Sequence, residues 1–234
     1  YDFQMEEGVF VASESQMPLI EQAIASVNWQ FLNQLRSCGR QLKISTGHFL
    51  FSEQRNLSNN NFPHYSGIVS DVETENLRQE ISASKLIIIP PFSLGEKGRL
   101  WILDPNQVAY ELATRLRAKK MIVLDTQTLP VFDGTETKKL GEMTTDGIHH
   151  WIKQQSNLHE KLVIKLNNLA EACEHGVERC HLLDGKIEGV LLAELLTPKG
   201  AGVMITNSSY KRTRPAHLSD IQSILDILNM PFEH

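Results

Sequence analysis

Residues 176–206, GVERCHLLDGKIEGVLLAELLTPKGAGVMIT, read as strand, turn, short helix, glycine loop and strand, and the rest of the chain is organised around them. Arg179 to Leu183 has a short extended pattern and Asp184-Gly185 is a strong turn signal. Val190-Leu191-Leu192 and Leu195-Leu196 place apolar residues about one helical turn apart. Thr197-Pro198-Lys199-Gly200 stops the helix, because proline does not continue it and glycine accepts a left-handed conformation. The chemistry lies in the polar residues left inside this pattern. His181 sits mid-strand, Glu194 is embedded among Ala193, Leu195 and Leu196, and Gly200-Ala201-Gly202 leaves backbone open to close approach. A carboxylate beside bare carbonyls suits a cation, and a guanidinium best of all, because its fork of donors matches both kinds of acceptor. On spacing alone, a histidine satisfied within the strand, an exposed helical glutamate and glycines serving only a turn fit equally well.

Composition bounds the reading further. The chain has 234 residues, 41% hydrophobic and 22% charged, enough for a sizeable core and one large domain, or one and a half. A net charge of -5 gives no basic face for nucleic acid. No apolar run approaches the roughly 18 residues that span a bilayer; Leu86 to Phe92 is broken by Pro90-Pro91. There is no signal peptide, and a start at Tyr1 suggests an internal cut that would hide targeting signals upstream. Cys38, Cys173 and Cys180 are too few for a disulfide framework, which favours a reducing compartment. Cys173, His175, Cys180 and His181 lack a zinc spacing, and His149-His150 point about 100° apart on a helix.

In order, the pattern predicts a lead-in strand at Val9 to Ala12 and a helix with Pro18 in its first turn that ends at Gly39. Strands follow at Leu42 to Ser45 and His48 to Ser52, then a polar loop at Asn56 to Pro63. Ile68 to Val72 reads as strand, Glu73 to Ser84 as helix, and Leu86 to Ile89 as a buried strand of a parallel sheet. Gly95 to Gly98 turns the chain into Leu100 to Leu103, and Asp104-Pro105 starts a helix expected to run to Lys119-Lys120. Met121 to Leu124 is a further buried strand, Leu129 to Gly134 a small hairpin, and helices run from Thr145 through Ile152 and from Asn157 to His175. This alternation predicts an α/β fold, a three-layer sandwich with a mostly parallel central sheet. Tyr210 to Ala216 reads as extended, and Ser219-Asp220 caps a helix that ends at His234 before its apolar face could be buried, so a truncated second domain is expected after a linker at 207–209.

The pattern G-V-x-x-x-H-x-x-D-G-x-x-x-G-x-L-L-x-E-L-x-T-x-x-G-x-G resembles the end of the amino-acid-kinase domain in the N-acetylglutamate synthases and in their relatives, the acetylglutamate kinases. The resemblance covers most of the chain. It implies an amino-acid-kinase-like domain over 1–206, truncated at its N-terminus, and over 210–234 the first strand and helix of an acetyltransferase domain, an order that selects synthase over kinase. In arginine-regulated members this segment lines the pocket for L-arginine, and His181, Glu194 and Gly200 fall on the matching positions. Lys153 and Lys161 are candidates for its carboxylate, with the pocket expected between the 157–175 helix and the 176–206 segment.

Three departures from the kinases bear on chemistry. The Gly-rich, Lys-bearing phosphate loop is absent from this chain. The Asn-x-Asn-Ala-Asp segment matches Ile102, Asp104, Pro105 and Asn106, and the Gly-Gly-Met loop matches Glu160, Lys161 and Leu162, although the lysine that follows is kept as Lys165. Phosphoryl transfer needs cation and cradle together, so a kinase fold without kinase activity is expected. Thr197 to Gly202 only superficially resembles a coenzyme A loop, and His217 and Asp220 read as helix caps. What the resemblance implies for the whole protein is amino-acid N-acetyltransfer from acetyl-CoA to L-glutamate in arginine biosynthesis. This chain would be a cytoplasmic, homo-oligomeric regulatory part that binds L-arginine but no cofactor, metal, nucleic acid or membrane, and would be inactive alone. A catalytically silent assembly module and a divergent acetylglutamate kinase are the competing readings.

Overall fold

The computed structural model describes residues 4–6, 9–37, 44–46, 49–57, 64–84, 86–95, 98–126, 141–155, 158–197, 200–207 and 221. Its strands are β1 (Gln4–Glu6), β2 (Val9–Val11), β3 (Ile44–Thr46), β4 (Leu50–Gln54), β5 (Gly67–Val72), β6 (Leu86–Ile88), β7 (Phe92–Leu94), β8 (Leu100–Ile102), β9 (Lys120–Asp125), β10 (Glu142–Thr144), β11 (Arg179–Asp184) and β12 (Val203–Thr206). The α-helices are α1 (Met17–Ser37), α2 (Thr74–Ala83), α3 (Pro105–Leu116), α4 (Thr145–Gln154), α5 (Glu160–Glu174) and α6 (Val190–Leu196).

The sheet that matters for the site has four strands in the order β10-β12-β11-β9. β10 runs parallel to β12 and β9 parallel to β11, whereas β11 and β12 are antiparallel. Side chains alternate across a strand, and in β11 that alternation divides two environments. Cys180 and Leu182 join Met121, Val203 and Ile205 in a core completed by Ile148 of α4 and by Leu162, Leu166, Leu169 and Cys173 of α5. His181 and Leu183 point to the other face, where α6 lies. Helices therefore cover both faces of the sheet, the three layers expected of the α/β reading. A second core joins Leu50, Val69, Val72, Leu77, Trp101, Leu103 and Val108, and α3 reaches both cores through Val108 and Ala113.

Local chemistry explains several boundaries. Asp104 caps α3 as expected, its Oδ1 accepting from the N–H groups of Asn106 and Gln107 at 2.9 Å each, with Pro105 as the first helical residue. The helix stops at Leu116 and not at Lys119-Lys120. Arg117 adopts φ 51°, a left-handed conformation that ends the helix, and the Ala118 N–H bonds back to the Ala113 carbonyl at 2.8 Å. Lys120 opens β9 instead. The α5 helix begins at Glu160, later than Asn157, because extended His159 caps it and accepts from the Lys161 N–H. Thr46, read as a turn residue, pairs with Ile88 in a parallel ladder, and Leu86–Ile88 is half-buried, with β3 as its one described strand partner.

The hairpin at 129–134, the loop at 58–63, Cys38, and the expected second unit apart from Ile221 lie outside the described residues. No described helix is long and apolar enough to cross a membrane. Among the described residues no cluster of three or more His, Cys, Asp or Glu side chains is placed to hold a metal.

Cys173 and Cys180 are free, buried thiols on either side of the α5–β11 turn. Cys173 Sγ donates to the Ile205 carbonyl at 3.2 Å. Its side-chain hydrogen bond with Cys180, together with burial, pushes the Cys180 thiol well above the ordinary thiol range. The same bond lowers the Cys173 thiol, so what protects both is burial, which keeps a reagent from reaching either sulfur. Iodoacetamide is therefore expected to leave both unlabelled in the native protein and to label both in denaturant, by peptide mass; native labelling of either would contradict this packing.

Candidate functional site

The polar residues of the organising stretch converge on the α6 face of the sheet. β11 presents His181, the Asp184-Gly185 turn and Gly189 (φ 74°) lead into α6, and one turn of α6 brings Glu194 back over the strand. His181 Nδ1 lies 2.6 Å from Glu194 Oε1, with both side chains at least nine-tenths buried, at 5% and 4% exposure. The other oxygen, Oε2, accepts from the N–H groups of Ala201 at 2.5 Å and Gly202 at 2.9 Å. Glu194 thus joins helix, strand and glycine loop at one carboxylate.

The glycines are required by this closeness. Gly200 has φ 62°, and a Cβ there would stand 2.7 Å from Glu194 Oε2. A Cβ at Gly202 would stand 2.5 Å from the Leu182 carbonyl oxygen.

The electrostatics of Glu194 place the proton that it shares with His181. Burial by itself would raise the Glu194 carboxyl, but the Ala201 N–H, the His181 ring and the Gly202 N–H bind the ionised form, and the net effect holds it below the usual carboxylate range. An ionised carboxylate only accepts, so the short bond puts the proton on His181 Nδ1. The opposite nitrogen, Nε2, is buried and has no hydrogen-bond partner among the described residues. In the neutral ring it is a bare lone pair, which calls for an N–H donor.

The lowered Glu194 carboxyl also links folding to pH. A carboxyl whose folded value lies below its unfolded value of about 4.3 stabilises the fold above that pH, and the contribution is lost as pH falls through the folded value. Wild type is expected to lose more stability than Glu194→Gln on acidification below about pH 4.3, read by urea denaturation at stepped pH; parallel profiles would contradict the depressed carboxyl.

The structure brings His181 and Glu194 together, and Gly200 lies against the same carboxylate. The expected location between the 157–175 helix and the 176–206 segment is not where they meet. The face of β11 toward α5 is filled by the apolar core, and Lys153 on α4 and Lys161 on α5 lie across the sheet from His181. Sequence reasoning missed the Ala201 and Gly202 N–H groups as partners of Glu194, although the glycine loop was the signal that backbone would come close.

Lys165, the retained lysine, projects from α5 at the C-terminal end of β9. Its Nζ lies 2.6 Å from Asp125 Oδ2, with side-chain exposures of 16% and 8%. Asp125 was not picked out from the sequence. Its carbonyl also accepts from Gly185 N–H at 2.7 Å, so the ion pair is tied to the turn that precedes α6.

The amino acid kinase family model matches residues 4–184. An amino-acid acetyltransferase of Shewanella oneidensis is 25% identical over 231 residues, 95% of this chain and 52% of that protein. One from an Enterobacter strain is 26% identical over 199 residues, 84% of this chain and 45% of its own length. The chain spans about half the length of these curated relatives. Among solved structures, N-acetylglutamate synthase from Neisseria gonorrhoeae, complexed with coenzyme A and L-arginine, superposes with a TM-score of 0.80 at 23% identity, covering 97% of this chain and 54% of that one. Giardia carbamate kinase superposes with a TM-score of 0.54 at 12% identity over 75% of this chain and 66% of its own. The fold is thus shared with synthase and carbamate kinase, and with the family model covering most of its length the chain belongs to the amino acid kinase family.

Proposed function

We propose that this chain is the kinase-like regulatory part of an N-acetylglutamate synthase, an enzyme that transfers acetyl from acetyl-CoA to the α-amino group of L-glutamate at the start of arginine biosynthesis. Its own task is to bind L-arginine. The observation that carries this reading is the buried His181–Glu194 pair with an unpartnered His181 Nε2 beside the Gly200 loop. A guanidinium offers only donors, and the site offers acceptors: the Glu194 carboxylate, the Nε2 lone pair and the loop carbonyls. Similarity to amino-acid acetyltransferases, and a neighbour of the same fold solved with L-arginine, support the choice of ligand. Arginine regulates only by binding two arrangements of the protein unequally. The acetyltransferase site belongs to a further domain of this protein, beginning near 210 after a linker at 207–209, so the described part carries no catalysis of its own.

Assembly into a cytoplasmic homo-oligomer belongs to the same reading. Of the 21 residues of α1, only Met17 is buried, while Val27 and Phe31, one turn apart on one side, are exposed. Glu21 and Arg36 are the charged residues of that helix, so its apolar side can meet a copy of itself without like-charge repulsion.

Calorimetric titration with L-arginine, with acetyl-CoA as control, tests the proposal. Saturable arginine binding without acetyl-CoA binding is expected. A folded sample that takes up no arginine overturns the sensor role and leaves a catalytically silent assembly module, the reading favoured by the exposed α1.

A further inference from the structure

The β4–β5 ladder breaks beside a cavity that the His181–Glu194 site does not use. Its register runs Leu50↔Val72 and Phe51↔Asp71 and resumes at Ser52↔Val69, so Ser70 is an extra residue without a partner across the ladder. Such a bulge bends its strand and re-aims the side chains around it, and bulges are over-represented next to active sites. Here Phe51, Ser52 and Ser70 of the bulge line a cavity of about 600 Å³, together with Glu53, Leu94 of β7 and Trp101 of β8. That volume falls within the roughly 300–1,000 Å³ of small-molecule sites.

The indole wall of this cavity is ordered by its own packing. An added Cβ on Gly67 would stand 2.7 Å from Trp101 Cβ, and one on Gly95 would fall on the indole nitrogen, so glycine at both positions makes room for the ring. The Arg99 guanidinium stacks 4.8 Å from the centre of the Trp101 ring and 4.5 Å from that of Tyr65. Ser93 Oγ donates to Ser52 Oγ, which ties β7 to β4 at the cavity. A wall that is already ordered spares a ligand the entropy of ordering it. Phe51 and Leu94 are 44% and 50% exposed, so an occupant removes apolar surface from water.

Charge selects the occupant. Glu53 is the one charged side chain that lines the cavity, and its carboxylate has no ion pair or hydrogen bond among the described residues. The cations beside it are engaged elsewhere: Arg115 pairs with Asp71 and Glu111 and donates to the Ser70 carbonyl, and Arg99 lies on its two rings. An anionic ligand would meet like charge with no free cation to offset it, whereas an ammonium finds acceptors in the Glu53 carboxylate and the Ser70 hydroxyl. We propose that this cavity is a second ligand site that takes a small amine, its ammonium paired with Glu53 and its flat apolar body laid against Phe51, Leu94 and the edge of Trp101. The site lies on strands of the second core and is independent of the arginine reading.

The indole N–H resonance of Trp101, followed by NMR in the full chain, reports occupation of the cavity. Phenethylamine, phenethyl alcohol and phenylacetate serve as probes, because they share the ring and differ in the charge they carry. Phenethylamine is expected to shift the resonance saturably, the alcohol to bind more weakly and phenylacetate to leave it unmoved. Glu53→Gln should weaken phenethylamine about fivefold, the most that a solvent-exposed ion pair supplies. Leu94→Lys, which sets a cation in the cavity, should weaken it at least about tenfold. Both substituted residues are exposed, so the fold is expected to survive, and the comparison of probes on wild type needs no variant. Saturating L-arginine is expected to leave phenethylamine in place. Equal affinities for the amine and the carboxylate overturn the proposal, as does an amine affinity that neither substitution changes. Displacement of phenethylamine by L-arginine, or the absence of any saturable shift with phenethylamine, overturns it as well.

Discussion

Replacing Glu194 by alanine is expected to abolish L-arginine binding and to cost the fold about 3 kcal/mol. The substitution strands three donors at once: the Ala201 and Gly202 N–H groups and the Nδ1–H of His181. A buried donor left without an acceptor costs about 1–3 kcal/mol, and water reaching the half-buried loop recovers part of that. At roughly 2–4 °C per kcal/mol for a chain of this size, the melting temperature should fall by roughly 6–12 °C, read by thermal denaturation. A destabilised loop could itself weaken binding, so Glu194→Gln is the companion variant. Glutamine keeps one acceptor oxygen and the side-chain volume but removes the charge that a guanidinium pairs with. It is expected to stay within about 1.5 kcal/mol of wild type, the net worth of a typical hydrogen bond, and still to lose most of its arginine affinity in calorimetry. Glu194→Gln binding arginine as wild type does would remove the carboxylate from the ligand's recognition, whatever Glu194→Ala did to the fold.

How much of this was legible depended on whether the deciding signal was local. The strand, turn, helix and glycine loop of 176–206 follow from residues within a few positions of one another: alternation in RCHLLD, the Asp184-Gly185 pair, the leucines one turn apart and the glycines. Asp104-Pro105 gave the start of α3 for the same reason. Its end did not, because Arg117 takes a left-handed conformation that sequence alone reserves for glycine or asparagine. The side of the sheet on which the site lies was in principle readable. If Cys180 and Leu182 face the α5 core, a period of two must send His181 the other way; the expected pocket beside the 157–175 helix ignored that parity. The partners of Glu194 and Lys165 were out of reach, since Ala201, Gly202 and Asp125 come to them through the crossing of α6 and the packing of α5, neither of which any local pattern specifies. The exposed leucines of α6 were read as a helical apolar face, which correctly gave a helix but not the side left uncovered.

Lys165→Met is expected to destabilise the chain by about 2–3 kcal/mol and to leave arginine binding unchanged. Removing one partner of a fully buried ion pair costs about 3–5 kcal/mol, and the partial exposure of Lys165 lowers that figure. Methionine keeps the length of the stem and deletes the ammonium, removing the 2.6 Å ion pair with the buried Asp125 carboxylate. Asp125, Met121 and Val123 share one parity along β9, so the pair lies on the α5 face, opposite His181. That separation predicts an unaltered arginine isotherm. The double variant Lys165→Met/Asp125→Leu should recover most of the lost stability, because replacing both members of a buried pair by apolar groups is often neutral or favourable. Urea denaturation of the three proteins reads the cycle, and a double variant no more stable than Lys165→Met would show that Asp125 is needed for other bonds at the β9 terminus. The same pair bears on catalysis. A phosphoryl-transfer lysine must be free to meet a phosphate, and here its ammonium is 2.6 Å from a carboxylate, on a helix whose first turn, with Glu160, Lys161 and Leu162, has no glycine to bring backbone close to a phosphate. Titration of the wild-type chain with magnesium ATP should therefore show no saturable heat; saturable binding lost in Lys165→Met would restore the kinase reading and place the pair in its site.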